Sequence, residues 1–178
     1  MFPIAKINQP ILTWVQPKWS RDYFELLTGK AVVASLSMTR WFSDEAEART
    51  AGSGWIFDRL GFFHTRGVAY RKGTEIEVAS FDYDWTKDCT IYLKDGRIYD
   101  WFRTKSFREA YALTSENDSL IYSMELGTHW FKRQARLELG VLPADLPDLD
   151  LLLCLGFYLG YCAQQDTAAA VAATTSAS

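Results

Sequence analysis

Alternation of apolar and polar residues along most of the chain predicts β-strands. Residues 31–38 and 119–126 repeat with a period of two, so that one face of each segment is apolar. Residues 130–139 follow the same pattern, although Arg133 interrupts the apolar face. Short polar turns that contain glycine or asparagine follow several of these segments, as at 28–30, 94–96 and 116–118. The pattern indicates a series of antiparallel hairpins.

Eleven segments fit this description. They lie near 11–16, 22–28, 31–38, 53–60, 66–72, 75–84, 89–94, 97–103, 109–114, 119–126 and 130–139. Residues 43–50 are ambiguous, because Ser43 can cap a short helix there. Residues 106–109 can open a helix as a capping box, although the hairpin pattern downstream favours a strand.

The segment 151–163 differs from the rest of the chain because its thirteen residues carry no charge and eleven are apolar. A helix that is apolar all round is either buried on every side or lies in a membrane. At 1.5 Å per residue this run spans about 20 Å, short of the roughly 30 Å hydrocarbon core of a bilayer. No Lys or Arg follows Arg136, so the positive-inside signal of a membrane span is missing. We expect a buried helix over 147–165, and a C-terminal tail anchor is the alternative.

A wholly apolar helix needs apolar partners around its entire circumference. A flat sheet covers one side only, whereas a meander closed into a barrel covers all sides and removes exposed edges. The sequence therefore predicts a mainly β fold, a closed antiparallel barrel of about twelve strands wrapped around a hydrophobic C-terminal helix. Residues 1–19 form an N-terminal segment that can include the first strand, 20–166 form the barrel with its helix, and 167–178 form a disordered Ala/Thr/Ser tail.

Composition agrees with one globular domain. The chain has 178 residues, of which 48% are apolar and 23% charged. The net charge of −3 gives no global attraction for nucleic acid, so none is expected as a partner. Three cysteines make no disulfide framework, and residues 1–19 lack the apolar core of a signal peptide. These features favour a reduced, cytoplasmic protein.

Several segments together resemble the tubby C-terminal-like superfamily, which includes the phospholipid scramblases and the plant LURP-one-related proteins. The similar segments are 52–63 (GSGWIFDRLGFF), 75–81 (EIEVASF), 93–99 (LKDGRIY) and the leucine-rich helix. The resemblance implies a twelve-stranded barrel around a hydrophobic helix. Tubby proteins bind phosphoinositide headgroups through basic residues, and scramblases bind calcium and associate with membranes. No Cys-rich palmitoylation tract is present, and no phosphoinositide-binding residue can be transferred to a specific position.

Motifs of catalysis or metal binding are not evident. The two histidines, His64 and His129, stand in no metal-ligand spacing, and no nucleotide-binding or nucleophile-elbow motif occurs. Asp82, Asp84 and Asp88 could gather a calcium ion, but they lack the glycine and the closing Glu of an EF-hand loop. We therefore expect neither cofactor nor metal, and a protein that is not an enzyme. A barrel that binds a small molecule, or an enzyme built on its mouth, is the alternative.

Basic residues offer the better functional hypothesis. They form three clusters, and two of them lie beside aromatic residues of the sequence. If the clusters converge on one surface, they could hold an anionic lipid headgroup; the alternative is that they are solvated outer faces of strands. A peripheral site on an anionic membrane, or a protein partner, is therefore expected, and the oligomeric state stays open. The candidate anion-binding residues are Arg97, Arg103, Lys105, Arg108, Lys132, Arg133 and Arg136, and the remaining cluster is Arg66, Arg71 and Lys72.

Overall fold

The computed structural model describes residues 1–4, 7, 9–39, 44–60, 65–83, 88–104, 109–129, 132–140 and 146–175. Within these residues, twelve antiparallel strands close into a barrel, and one C-terminal helix follows. Each strand pairs with its neighbours in sequence, and the first strand pairs with the last. The strands are β1 (Ile11–Val15), β2 (Tyr23–Thr28), β3 (Ala31–Met38), β4 (Ala46–Thr50), β5 (Gly54–Leu60), β6 (Arg66–Arg71), β7 (Glu77–Tyr83), β8 (Cys89–Leu93), β9 (Ile98–Arg103), β10 (Ala110–Ser115), β11 (Leu120–His129) and β12 (Lys132–Leu139), and the helix is α1 (Leu149–Thr175).

The first part of α1 fills the barrel, as the sequence predicted. Every residue from 151 to 163 is buried. Aromatic side chains of the wall pack against aromatic side chains of the helix: Trp14 stacks on Phe157 with ring centroids 4.5 Å apart, and Phe57 lies 5.5 Å from Tyr158. The helix and the wall therefore share one core, which supplies apolar contacts on every side of the helix. Among the described residues, no helix has an apolar stretch sufficient to cross a membrane.

Two glycines of α1 let the wall approach the helix closely. A Cβ on Gly156 would overlap the hydroxyl oxygen of Tyr122 and lie 2.9 Å from its Cζ. A Cβ on Gly160 would lie 3.0 Å from the Cδ1 of Leu126 and 3.2 Å from the Cε of Met124. The space beside both glycines is therefore already filled. The atoms that fill it are side chains, because large inward residues of β11 and β9 reach across the narrow gap between wall and helix.

The structure resolves one element that the sequence left ambiguous. Residues 46–50 form β4, where the sequence left open a short helix over 43–50. Ala46 and Ala48 are buried and face the core, whereas Glu47 and Arg49 face outward, so the segment does alternate. Alanine and glutamate have high helix propensity, and pairing with β3 and β5 overrides it. This strand completes the barrel that eleven candidate segments alone did not close.

α1 extends further than the sequence predicted. The expected end was residue 165, followed by a disordered tail, whereas the helix continues to Thr175. The alanine-rich composition that suggested low complexity also gives the strongest intrinsic helix propensity. Residues 168–172 are exposed and project beyond the sheathed part of the helix.

The barrel has two ends: the helix-start end, where α1 begins, and the helix-exit end, where α1 leaves the barrel. At the helix-start end, Thr50 of β4 donates to the carboxylate of Asp150 at 3.3 Å. At the helix-exit end, Arg59 at the end of β5 bonds to Asp166. Ile4 and Ile7 of the N-terminal segment are also buried in the common core. Since neighbouring strands are antiparallel, successive connections lie alternately at the two ends.

Candidate functional site

The predicted basic residues do not meet on one surface. Arg97 immediately precedes β9 at the helix-start end, whereas Arg103 ends β9 at the helix-exit end. They lie six positions apart in sequence, which is roughly 20 Å along the strand. Lys105 and Arg108 lie outside the described residues. The second cluster is therefore divided between the two ends of the barrel.

Arg97 is engaged in ion pairs that hold the start of the helix. Its guanidinium bonds to the carboxylates of Asp95 and Asp148, and Asp148 immediately precedes α1. The hydrogen bond to Asp95 and the bond to Asp148 raise the pKa of Arg97 although burial opposes the rise. An arginine that already binds two carboxylates has few donors left for another anion.

The third cluster is split between the two faces of β12. Lys132 and Arg136 are exposed on the outer face. Arg133 lies on the inner face, where its guanidinium carbon sits 4.7 Å from the ring centroid of Tyr161 on α1. One guanidinium nitrogen of Arg133 also lies 3.8 Å from the carboxylate of Asp22. The arginine that interrupted the apolar pattern in the sequence therefore stacks on the central helix where the barrel opens.

The first cluster is likewise divided. Arg66 begins β6 at the helix-exit end and lies 3.8 Å from Asp82. Lys72 lies beyond the other end of β6 and pairs with Glu47, as Arg49 also does. Burial opposes ionisation of Glu47, yet its bonds to Lys72 and Arg49 outweigh burial and lower its pKa. Arg71 ends β6 near the helix-start end and is exposed.

A buried arginine that the sequence did not single out joins the wall to the helix. The side chain of Arg59 is 3% exposed, and it bonds to Asp166 of α1 at 2.8 Å and to Asp44 at 2.9 Å. Tyr158 of α1 also donates its hydroxyl to the backbone carbonyl of Asp44. Burial alone would lower the pKa of Arg59, but the hydrogen bond to Asp166 and the neighbouring negative charges raise it. These bonds fix the helix where it leaves the barrel.

The connection between β1 and β2 forms a braced loop, residues 16–22, here called the Trp19 loop. The buried Gln16 side chain donates to the carbonyl of Arg21 at 2.8 Å and accepts from the backbone N–H of Arg133 at 3.0 Å. The ammonium of Lys132 donates to the carbonyl of Pro17 at 2.9 Å. These bonds tie the loop to β12 and restrict its conformation.

Trp19 lies on this loop and points into solvent. It is 74% exposed, more than any other exposed large apolar residue of the described chain. Tryptophan is buried to a high degree on average, so this exposure is unusual. Lys18 and Arg21 are both exposed, and neither forms an ion pair with a described carboxylate. The loop thus presents an aromatic ring between two basic side chains.

A groove with a volume of about 610 Å³ runs between the Trp19 loop and strands β2 and β3. Its described lining has two basic and two acidic side chains, Lys18, Arg21, Asp22 and Glu25. Tyr23 also lines it and donates its hydroxyl to Glu25 at 3.1 Å. Burial and this bond raise the pKa of Tyr23, so its hydroxyl stays a donor at neutral pH.

The other candidate groups stay dispersed or buried. Cys89, Cys154 and Cys162 are buried free thiols, and burial raises the pKa of Cys162 to about 12. Asp82 and Asp88 line a second open groove, whereas Asp84 and His64 lie outside the described residues, as does the side chain of His129. Among the side chains described, no three His, Cys, Asp or Glu are grouped so that they could hold a metal ion.

Comparison of the chain with protein-family models, curated proteins and solved structures finds no match. The closed barrel around a helix is the architecture that the resemblance to the tubby-like superfamily implies. Membership of that superfamily stays a prediction.

Proposed function

We propose that this protein is a non-enzymatic barrel that docks onto anionic membrane surfaces with its helix-exit end. The observation that carries the proposal is the exposed Trp19 on a braced loop between Lys18 and Arg21. Tryptophan favours the boundary between headgroups and acyl chains, because its ring is apolar and its N–H is polar. Each basic side chain near an anionic surface adds about 1 kcal/mol of attraction.

The neighbouring residues support this orientation. Lys132 contacts the loop through Pro17, and Arg136 is exposed on the same strand, β12. Arg103 ends β9 at the same end of the barrel. Arg97 lies at the opposite end and plays no part in the proposed contact. With a net charge of −3, the chain as a whole is not attracted to anionic lipid, so the attraction must be local.

Sedimentation or flotation with anionic vesicles tests the aromatic contact. Trp19→Ala is expected to weaken binding at least tenfold, because the variant loses the only large apolar side chain that the loop places in the interface. Ile76→Ala is the matched control, since Ile76 is 60% exposed at the helix-start end. Equal binding of the two variants would overturn the assignment of the Trp19 loop as the contact.

Salt dependence tests the charged contact. Lys18→Gln with Arg21→Gln removes about 2 kcal/mol of attraction, which is about a 30-fold loss of binding at low salt. The matched control, Lys30→Gln with Arg71→Gln, neutralises two exposed basic residues at the other end. High salt should weaken wild-type binding as well, because the screening length falls from about 10 Å at 0.1 M to about 3 Å at 1 M. Binding that is insensitive to both changes contradicts an electrostatic contact.

A further inference from the structure

We propose that the groove beside the Trp19 loop binds a phosphodiester headgroup that carries a primary amine. The inference rests on the proposed membrane docking and adds the lipid class that the site selects. A purely basic groove would suit any anion, whereas this groove has carboxylates facing the same space as its basic side chains. Such a lining suits a ligand that carries both signs of charge.

The basic side of the groove is formed by Lys18 and Arg21. Both belong to the Trp19 loop, so they lie next to the ring that is proposed to enter the interface. The phosphate of a lipid lies at that depth, directly above the acyl chains. An arginine can hold two phosphate oxygens at once, and a lysine adds a point charge. These two residues therefore bind the phosphate.

The acidic side of the groove is formed by Glu25 and Asp22. Asp22 has Arg133 only 3.8 Å away, so part of its charge is already balanced. Within the described part of the chain, Glu25 receives one side-chain hydrogen bond, from the Tyr23 hydroxyl at 3.1 Å, and this bond orients its carboxylate. A carboxylate has about four acceptor sites on its two oxygens, so Glu25 retains acceptors for an ammonium group. Glu25 thus binds the amine, and Tyr23 positions it.

Two vesicle compositions of equal charge separate headgroup selection from general attraction. Vesicles with equal mole fractions of phosphatidylserine or phosphatidylglycerol in phosphatidylcholine both carry one net negative charge per anionic lipid. We expect wild-type protein to bind the serine vesicles at least fivefold more tightly. Glu25→Gln should remove this preference and leave phosphatidylglycerol binding unchanged or stronger. Glu138→Gln, on the exposed face of β12, makes the same change in net charge and should retain the preference.

The outcomes distinguish the two proposals. Equal binding of wild type to both vesicles overturns the amine site and leaves membrane docking intact. A preference that survives Glu25→Gln also overturns the site. Failure to bind either vesicle overturns membrane docking.

Titration with soluble glycerophosphoethanolamine or glycerophosphoglycerol tests whether the ligand is a free metabolite. The readout is the change in the backbone amide NMR chemical shifts of residues 18–25. Shifts with the amine compound but no vesicle binding assign the groove to a free metabolite. Shifts with neither compound and no vesicle preference remove the site.

Discussion

Gly156→Ala is the most direct perturbation of the packing between helix and wall. The added methyl would overlap the hydroxyl oxygen of Tyr122 and lie 2.9 Å from Cζ. Tyr122 is fully buried on β11, and its hydroxyl donates to the carbonyl of Leu152 at 3.1 Å. The ring must move by more than about 1 Å to reach ordinary contact distance, and it loses this hydrogen bond when it moves.

The magnitude follows from three terms. Overpacking of a filled core destabilises by about 1–3 kcal/mol, and a buried hydroxyl left without its partner adds about 1–3 kcal/mol. Replacing glycine by alanine inside a helix returns about 1 kcal/mol. The terms sum to about 1–5 kcal/mol, so we expect the free energy of unfolding, measured by chemical denaturation at pH 7, to fall by about 3 kcal/mol.

Gly160→Ala is the matched control, one turn along the same helix. Its new methyl would meet only the flexible tips of Leu126 and Met124, at 3.0 and 3.2 Å. The expected change is within about 1 kcal/mol, because the gain in helix propensity offsets the tighter contact. Tyr122→Phe in the Gly156→Ala background should recover about 1–2 kcal/mol, since it removes the overlapping oxygen. Equal stability of the two glycine variants would refute the close approach of Tyr122.

Two further predictions concern stability. Unfolding should become easier as pH rises above 9, because burial raises the pKa of Cys162 to about 12 and of Tyr111 to about 12, so the unfolded chain releases protons that the folded chain retains. Between its unfolded and folded pKa values, each such group lowers the free energy of unfolding by about 1.4 kcal/mol per pH unit. In denaturation series from pH 8 to 11, Cys162→Ala should reduce the slope of this free energy against pH by that amount. An unchanged slope would contradict burial of the thiol. Arg59→Met should destabilise by about 2–3 kcal/mol, and a double-mutant cycle with Asp166→Asn should give a coupling of about 1 kcal/mol, whereas additive effects would show that the ion pair does not hold the helix.

Period-two alternation was sufficient to predict most of the barrel. It located the strands around residues 31–38 and 66–71 to within one residue, and the thirteen-residue apolar run identified the central helix. It failed at 46–50 because Ala46 and Ala48 are small inward residues in a strand rich in helix formers. Alternation reports which residues face the core, and small residues give that signal weakly.

The candidate site was less predictable than the fold. Clusters of basic residues in sequence do not show which end of a barrel they occupy, and Arg97 and Arg103 lie at opposite ends of one strand. The sequence makes Arg133 a candidate anion-binding residue, whereas in the structure it stacks on Tyr161 inside the opening. The segment 17–21 (PKWSR) did carry a signal: a tryptophan between two basic residues, in the connection between two strands. Its exposure and the bracing of the loop by Gln16 and Lys132 are evident only in the three-dimensional structure.

A polarity-sensitive fluorophore on the Trp19 loop tests membrane docking most directly. Ser20→Cys can be labelled selectively, because Cys89, Cys154 and Cys162 are buried. The matched label is on Thr74→Cys, an exposed turn residue at the helix-start end. Addition of phosphatidylserine vesicles should shift the emission of the Ser20 label to the blue and leave the Thr74 label unchanged. A shift at Thr74 alone, or no shift at either position, would contradict docking through the helix-exit end.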